Sequence, residues 1–273
     1  MPNWITNNVT IIASEKVLAK IKNKVKSDVR EFDFNNILPI PKELVGTRSP
    51  LKIITQEEYD IQEEYIAKGE FTESEKSFGL SRGLTKELAK KYKKKFGYTD
   101  WYDWQVNNWG TKWNPSEVYW GETNDFVSFN TAWSTPFPIL LKLSKKFPKA
   151  KFIVEYADED FGYNVGTYTL IGGIETECII PEGGSREAYE MAIDIQGGED
   201  FYLADDFCDV EEDEPLSDFT LEMIEIAYER DYFPTEDCGY AKNVLERFKE
   251  IALENENFEL VTLIDKELEK VEH

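Results

Sequence analysis

The stretch that decides the fold is VYWGETNDFVSFNTAW (118–133), followed by PFPILLKLSKKF (136–147) and KFIVEYA (151–157). In the first segment, two aromatic and β-branched runs flank a turn rich in Gly, Thr, Asn and Asp, which is typical of a β-hairpin. In the second, prolines open a helix and lysines favour its C-terminal end. The third segment predicts another strand. Together they predict a β-β-α-β block.

A strand and a helix precede this block. VTIIA (9–13) is short, apolar and rich in β-branched residues, which predicts a strand. Behind it, Val17, Leu18, Ile21 and Val25 recur at helical spacing, with lysines between them. The chain therefore begins with a β-α pair.

Two charged segments separate the β-α pair from the hairpin. Residues 55–68 and 84–96 both resemble surface helices, and we expect them to form an insertion within 45–100. After KFIVEYA, NVGTYTLIGG (164–173) predicts one more strand. Apart from the insertion, the order is β-α, β-β, α-β, which is that of a split βαβ, ferredoxin-like sandwich.

The charge of the chain is concentrated in its last hundred residues. The net charge is −23; residues 175–273 carry 31 acidic and 7 basic side chains, whereas residues 1–174 carry 23 acidic and 24 basic ones. This shift in composition predicts a domain boundary near the Gly172–Gly173 pair. We therefore expect an α+β protein with a ferredoxin-like domain over 1–173 and an acidic, mainly helical domain over 174–273.

Helical periodicity supports the second domain. Ser185 is placed to cap a helix over REAYEMAIDI (186–195), and apolar residues form one stripe in each of 217–229, 240–254 and 258–271. Short helices with one apolar stripe and acidic outer faces are typical of a small bundle.

Ten carboxylates and no basic residue lie in the segment from Glu199 to Asp218. The negative electrostatic field of these carboxylates repels nucleic acid and anionic membranes, so we expect neither to bind the protein directly. The segment could imitate DNA toward a partner protein, bind a cation, or simply keep the surface solvated, which is the usual role of a charge run. The candidate partner-binding residues are Glu199, Asp200, Asp205, Asp206, Asp209, Glu211, Glu212, Asp213 and Glu214.

The composition argues against several classes of enzyme. The one histidine, His273, is the last residue, so we expect neither a Ser-His-Asp triad, nor a Cys-His pair, nor an imidazole-based metal site. The sequence also contains no P-loop, GxSxG or HExxH motif. We predict a protein that is not an enzyme and has no catalytic residue, cofactor or metal.

The cellular location is predicted from the absence of paired cysteines, membrane spans and a signal peptide in the sequence. The three cysteines have no CxxC spacing, which favours reduced thiols. No apolar run approaches the roughly 20 residues of a membrane span, and the N-terminal residues do not resemble a signal peptide. These features predict a cytoplasmic protein that does not bind membranes.

Five of the seven tryptophans fall between positions 101 and 120, around NWGTKW (108–113). Indole faces beside amides and a lysine can stack on a base, a sugar or a peptide and bind its polar edges. The competing interpretation, which we favour, is a core of large aromatics in which NWGTKW is a loop that docks tryptophans onto the sheet. The candidate binding residues are Trp104, Asn108, Trp109, Thr111, Lys112, Trp113 and Trp133.

Several short stretches occur in the order of a known domain. They are MPNW (1–4), FDFNNILPIPKEL (32–44), NWGTKWN (108–114), FNTAWSTPFPI (129–139) and EYADEDFGYNVG (155–166). Over roughly residues 1–170 the chain resembles the YubB-like family of small plasmid and phage proteins, which carry a ferredoxin-like domain. The family often has Cys after MPNW where this chain has Ile5, so no thiol role is carried over. The resemblance implies a mobile-element origin and no particular reaction.

Two hypotheses for function follow. The first is a non-catalytic protein-interaction module of a mobile genetic element that binds and inhibits a host defence protein, with the acidic segment imitating DNA. The second is a small-ligand or nucleotide-binding protein that uses the Trp-rich region 101–133. The exposure of the tryptophan side chains separates the two.

Overall fold

The structure, a computed structural model, describes residues 3–69, 81–196, 220–229 and 241–271. The chain divides into two units, of which the first comprises Met1–Val154 with Tyr168–Cys178 and the second Glu155–Thr167 with Ile179–His273. Within the described ranges, no helix has the length and apolar character needed to cross a membrane.

A six-stranded sheet and its helices account for the chain up to residue 179. Its first elements are β1 (Trp4–Ile12), α1 (Glu15–Val25), the inserted α2 (Gln56–Lys68) and α3 (Lys86–Phe96), and α4 (Trp101–Trp109). Those that follow are β2 (Ser116–Trp120), β3 (Phe126–Ala132), α5 (Phe137–Lys146), β4 (Lys151–Asp158), β5 (Gly166–Ile171) and β6 (Ile174–Ile179).

The strand order in the sheet is β2-β3-β1-β4-β5-β6. Strand β3 lies between β2 and β1 and is antiparallel to both. The first four strands, with α1 and α5 as the two connecting helices, have the arrangement of a split βαβ sandwich. The predicted α+β fold class is thus confirmed.

Alternation and helical spacing explain which side chains form the core. In β1 every second residue from Ile5 to Ile11 is buried, as expected when one face of a strand packs on a core. Helix α1 buries Leu18, Ile21 and Val25, which form one stripe at helical spacing. Helix α5 likewise buries Ile139, Leu140 and Leu143 on one side.

Two elements differ from the sequence-based expectation. Helix α4 replaces part of the expected docking loop, so NWGTKW straddles the end of a helix. Strand β6 extends the sheet beyond the predicted strands, because Gly172 and Gly173, both at positive φ, form a tight turn after β5.

The second unit contains α6 (Arg186–Gln196), α7 (Leu221–Glu229), α8 (Ala241–Glu254) and α9 (Phe258–Val271). The Oγ atom of Ser185 accepts a hydrogen bond from the Ala188 amide at 3.2 Å, so the predicted cap of α6 is confirmed. The stripes predicted for the last three helices meet in one core that includes Ile224, Phe248 and Ile264. The described residues of this unit beyond β6 are mainly helical, as the periodicity indicates.

Candidate functional site

Helix α4 fixes the Trp-rich stretch. Its N-cap is Asp100, whose Oδ1 accepts a hydrogen bond from the Asp103 amide at 3.0 Å. Desolvation, and secondly the nearby Asp100 carboxylate, raise the pKa of Asp103. The helix ends at Gly110, whose φ of +83° gives a left-handed C-cap. A Cβ on Gly110 would lie 2.7 Å from Cδ of Pro138, so glycine allows the end of α4 to approach the start of α5.

Two indoles of α4 belong to the core. Trp104 is 6% exposed and Trp109 is 1% exposed. The Trp109 Nε1 donates a hydrogen bond to the Leu38 carbonyl at 2.9 Å, so its polar group is satisfied. Its ring packs edge-on against Phe34 at a centroid distance of 5.7 Å and against Trp104 at 6.1 Å. Trp109 therefore acts as a packed core residue.

Two of the stretches that carry the family resemblance, NWGTKWN and FDFNNILPIPKEL, meet at this place. Asn114, at the end of NWGTKWN, contacts the segment FDFNN. Its Oδ1 accepts a hydrogen bond from the Phe34 amide at 2.7 Å, and its Nδ2 donates one to Asp33 Oδ1 at 3.2 Å. The two stretches are far apart in the sequence but form one bonded unit in the fold.

Two further stretches, FNTAWSTPFPI and MPNW, join from the sheet side. The buried Thr111 donates from Oγ1 to the Ala132 carbonyl at 2.8 Å, which ties NWGTKW to the end of β3. The ring of Trp4, at the start of β1, lies 6.1 Å from that of Trp113. These stretches thus share one structural role, which is to build the surroundings of NWGTKW.

Beyond Gly110 the chain reaches the surface. Trp113 is 36% exposed and Trp133 is 40% exposed, and the Lys112 ammonium lies over both rings. Its Nζ is 4.2 Å from the ring centroid of Trp113, 5.0 Å from that of Trp133 and 5.9 Å from that of Tyr102. We call Tyr102, Lys112, Trp113 and Trp133 the indole–lysine cluster.

The backbone displays Trp133 in an unusual conformation. Its φ is +70°, a left-handed value that a bulky side chain rarely adopts. The Trp133 amide donates to the Asn3 carbonyl at 2.8 Å, and the next residue, Ser134, donates from Oγ to the Gly110 carbonyl. Because such a conformation costs about 1–3 kcal/mol, it persists only where the surroundings impose it. The surrounding bonds hold the indole at the surface.

The structure separates the seven candidate binding residues of the Trp-rich region. Those buried in the interior are Trp104, Trp109 and Thr111. Asn108 bonds within its own helix, since its Nδ2 donates to the Trp104 carbonyl at 2.8 Å. Those that meet at the surface are Lys112, Trp113 and Trp133. The stretch is therefore core and surface at once.

One member of the cluster, Tyr102, was not among the sequence candidates. Its ring meets that of Trp133 edge-on at a centroid distance of 6.0 Å. The sequence signal that could have indicated this helix is Asp100, a good N-cap residue. It precedes several aromatic residues, which a helix presents on more than one side. A helix assignment for 101–109 would have placed Tyr102 on nearly the opposite side from the buried Trp104, two residues further on, so the two rings could not point the same way.

The acidic candidates, from Glu199 to Glu214, all lie outside the described residues, as do Cys208, Cys238 and His273. Cys178 is exposed on β6. In the ranges that the structure describes, no group of three or more His, Cys, Asp or Glu side chains is arranged to hold a metal ion.

A concavity of about 570 Å³ lies on α8 and α9. Charged side chains dominate its lining, and its Lys249 pairs with Asp265 at 2.5 Å. The other lining residues are Glu246, Glu250, Leu253, Leu268 and Glu269. An open, charged hollow of this kind is an ordinary solvated surface.

Comparison with known proteins gives one family and one solved structure. Residues 108–200 match a family model described as a ferredoxin-like domain in Api92-like protein. The crystal structure of protein api92 from Yersinia pseudotuberculosis aligns with a TM-score of 0.36 and 12% identity, covering 68% of this chain and 100% of that one. No curated protein matches the chain. Over residues 108–200, which begin at NWGTKW and include Trp133, the protein is similar to the ferredoxin-like domain of Api92-like proteins.

Proposed function

We propose that the protein is a non-catalytic interaction module that binds a partner protein through the indole–lysine cluster. The observation that carries the proposal is the exposure of Trp113 and Trp133 in a chain that buries Trp104 and Trp109. Tryptophan and tyrosine are enriched among the residues that dominate protein interfaces, because a large rigid ring excludes water at low entropic cost.

The conformation of Trp133 supports this proposal. A positive φ of 70° at a tryptophan is unfavourable, and the residue still leaves 40% of its surface exposed. Residues held in such conformations cluster at binding sites, where the strain presets the geometry. A partner that covers Trp133 supplies the burial that the isolated protein lacks.

The charge distribution favours a protein over a nucleotide or another polyanion. The Lys112 ammonium is directed at aromatic rings, so it is not presented as a free phosphate ligand. The net charge of −23 opposes the approach of phosphates. We therefore place a small-ligand or nucleotide-binding function second, and the same surface would serve it.

The origin and target of the protein form a further part of the proposal. The YubB-like resemblance supports a plasmid or phage origin and a cytoplasmic location in a bacterial host, where a defence protein would be the target. The ten carboxylates between Glu199 and Asp218 support imitation of DNA as the mode of inhibition. In that case, charge reversal to Lys at Asp205, Asp206, Glu211, Glu212 and Asp213 abolishes binding to the partner, and unchanged binding removes DNA mimicry from the proposal.

The main proposal is tested by affinity capture from host lysate with the tagged full chain. A W113S/W133S variant removes both exposed indoles, and Tyr119→Ser is the matched control, because Tyr119 is a 61% exposed aromatic outside the cluster. We expect the wild type and the control to recover the same stoichiometric partner and the double variant to recover none. Equal recovery by all three proteins, or no partner at moderate salt, contradicts the proposal.

A further inference from the structure

We propose that the indole–lysine cluster recognises a positively charged side chain, Arg or Lys, of the partner, and that Lys112 occupies this site in the unbound protein. The inference rests on the proposed function and specifies the chemistry of the partner. Three observations support it: the arrangement of the rings, the absence of a carboxylate counterion among the described residues, and the partial exposure of Lys112.

The rings form a partial cage around a cation. The faces of Trp113, Trp133 and Tyr102 all lie within 6 Å of the Lys112 Nζ, counted to the ring centroids. This is the range over which the negative face of an aromatic ring attracts a cation, and tryptophan is the strongest of the aromatic side chains in this role. The rings therefore present a cation-binding geometry that is already formed.

In the parts of the chain that the structure describes, the contacts of the Lys112 ammonium are with these rings. Elsewhere on the chain lysines pair with carboxylates, for example Lys95 with Glu43 at 2.8 Å and Lys249 with Asp265 at 2.5 Å. Lys112 has no such ion pair with any residue in the described parts of the chain. An incoming cation thus has to displace only an aromatic contact, which is worth about 0.5–2 kcal/mol.

The occupant is also able to leave. Lys112 is only partly buried and follows Gly110, outside the helix. When its long side chain swings out, the ammonium returns to water and the ring faces are freed without loss of any buried polar contact. The net charge of −23 attracts a basic partner to the protein as a whole.

A matched pair of probes tests the inference. N-acetylargininamide and N-acetylcitrullinamide have nearly the same shape, but only the first is charged. Each is titrated into the full chain while the indole N–H resonances are followed by NMR. We expect Lys112→Met to bind the arginine probe about tenfold more tightly than the wild type, because a tethered ammonium competes at an effective concentration in the millimolar range.

Three further results are expected. The citrulline probe shifts no indole resonance of Lys112→Met, the double variant K112M/W133A loses the arginine response, and Tyr119→Ala changes neither. Far-UV circular dichroism and an unchanged Trp109 resonance confirm that each variant is folded. Equal binding of both probes, or equal arginine affinity in the wild type and Lys112→Met, overturns the inference.

The outcome of the probe titration can be told apart from that of the affinity capture. If capture depends on Trp113 and Trp133 but the arginine probe fails, the surface binds a partner without recognising a cation. If the probe binds but no partner is captured, cation recognition stands and the proposed function fails.

Discussion

Trp109 and Trp113 belong to the same hexapeptide and carry the same side chain, yet one is 1% exposed and the other 36%. Trp109 donates its indole N–H to the Leu38 carbonyl and packs on Phe34, both of which come from a distant segment. Trp113 instead faces Lys112 at 4.2 Å. The two indoles differ because the chain turns between them.

Gly110 is the point at which this turn occurs. A left-handed C-cap ends α4 after Trp109, so the residues that follow no longer project from the buried face of the helix. We call the buried indoles Trp104 and Trp109 the core pair, and we call the exposed indoles Trp113 and Trp133 the surface pair. The Trp-rich region 101–133 thus supplies both the core that fixes a site and the side chains that the site presents.

The largest effect is expected at the core pair. Trp109→Ala removes a fully buried ring and leaves the Leu38 carbonyl without its donor, so the free energy of unfolding should fall by ~3–5 kcal/mol. Trp133→Ala should cost less than ~1 kcal/mol, because its ring is 40% exposed. Urea denaturation of both variants measures the difference. Similar losses for the two would show that the division into core and surface pairs is wrong.

The next effect is expected at Gly110. Gly110→Ala should destabilise by about 1–3 kcal/mol, because the new Cβ meets Pro138 Cδ at 2.7 Å and φ is +83°. Gly97→Ala is the control, since Gly97 caps α3 at φ +81° with nothing within 4 Å of the added Cβ. The excess loss at Gly110, measured by thermal unfolding, reports the packing of α4 on α5. An equal loss of stability at Gly110 and Gly97 would mean that the close approach of Gly110 to Pro138 does not contribute to stability.

A smaller effect is expected at Thr111. Thr111→Val keeps the shape but removes the buried hydrogen bond to the Ala132 carbonyl, at a cost of about 1 kcal/mol. Thr262→Val deletes a comparable hydrogen bond at an exposed position, from Oγ1 to the Phe258 carbonyl at 2.9 Å. Because water can replace this bond, the free energy of unfolding should fall by only a few tenths of a kcal/mol. Chemical denaturation of both variants provides the comparison. Equal costs would argue that Thr111 does not anchor NWGTKW to β3.

The smallest effect is expected from the backbone at Trp133. Trp133→Gly should be more stable than Trp133→Ala by about 0.5–1 kcal/mol, because φ is +70° and only glycine adopts it freely. At Tyr119, in strand β2, the order should reverse, with the Ala variant the more stable of the two. Paired melting curves at the two positions test this. If Ala is also the better residue at 133, Trp133 carries no strain.

Much of the sheet could be predicted from the sequence, because its signals are local. VTIIA, the hairpin around GETND and the lysine-ended helix PFPILLKLSKKF each follow from periodicity and turn residues. Helix α4 was missed, because WYDWQVNNW consists mostly of residues with weak helix propensity. Asp100 and Gly110, its two caps, were the signals that pointed to it.

The site could be predicted only in part. The sequence pointed to Lys112, Trp113 and Trp133, but it could not separate them from Trp104 and Trp109. Trp109 is buried because Phe34 and Leu38, which are distant in the sequence, contact it in the folded protein. The positive φ of Trp133 is likewise imposed by its neighbours and has no local signal.

The division of the Trp-rich region 101–133 into a core pair and a surface pair can be tested by ¹⁹F NMR of protein labelled with 5-fluorotryptophan. Single Trp→Phe variants assign the signals, and a soluble gadolinium chelate then broadens those near solvent. We expect strong broadening for Trp113 and Trp133 and little for Trp104 and Trp109. Broadening of Trp109 as strong as that of Trp113, or protection of all four signals, would contradict it.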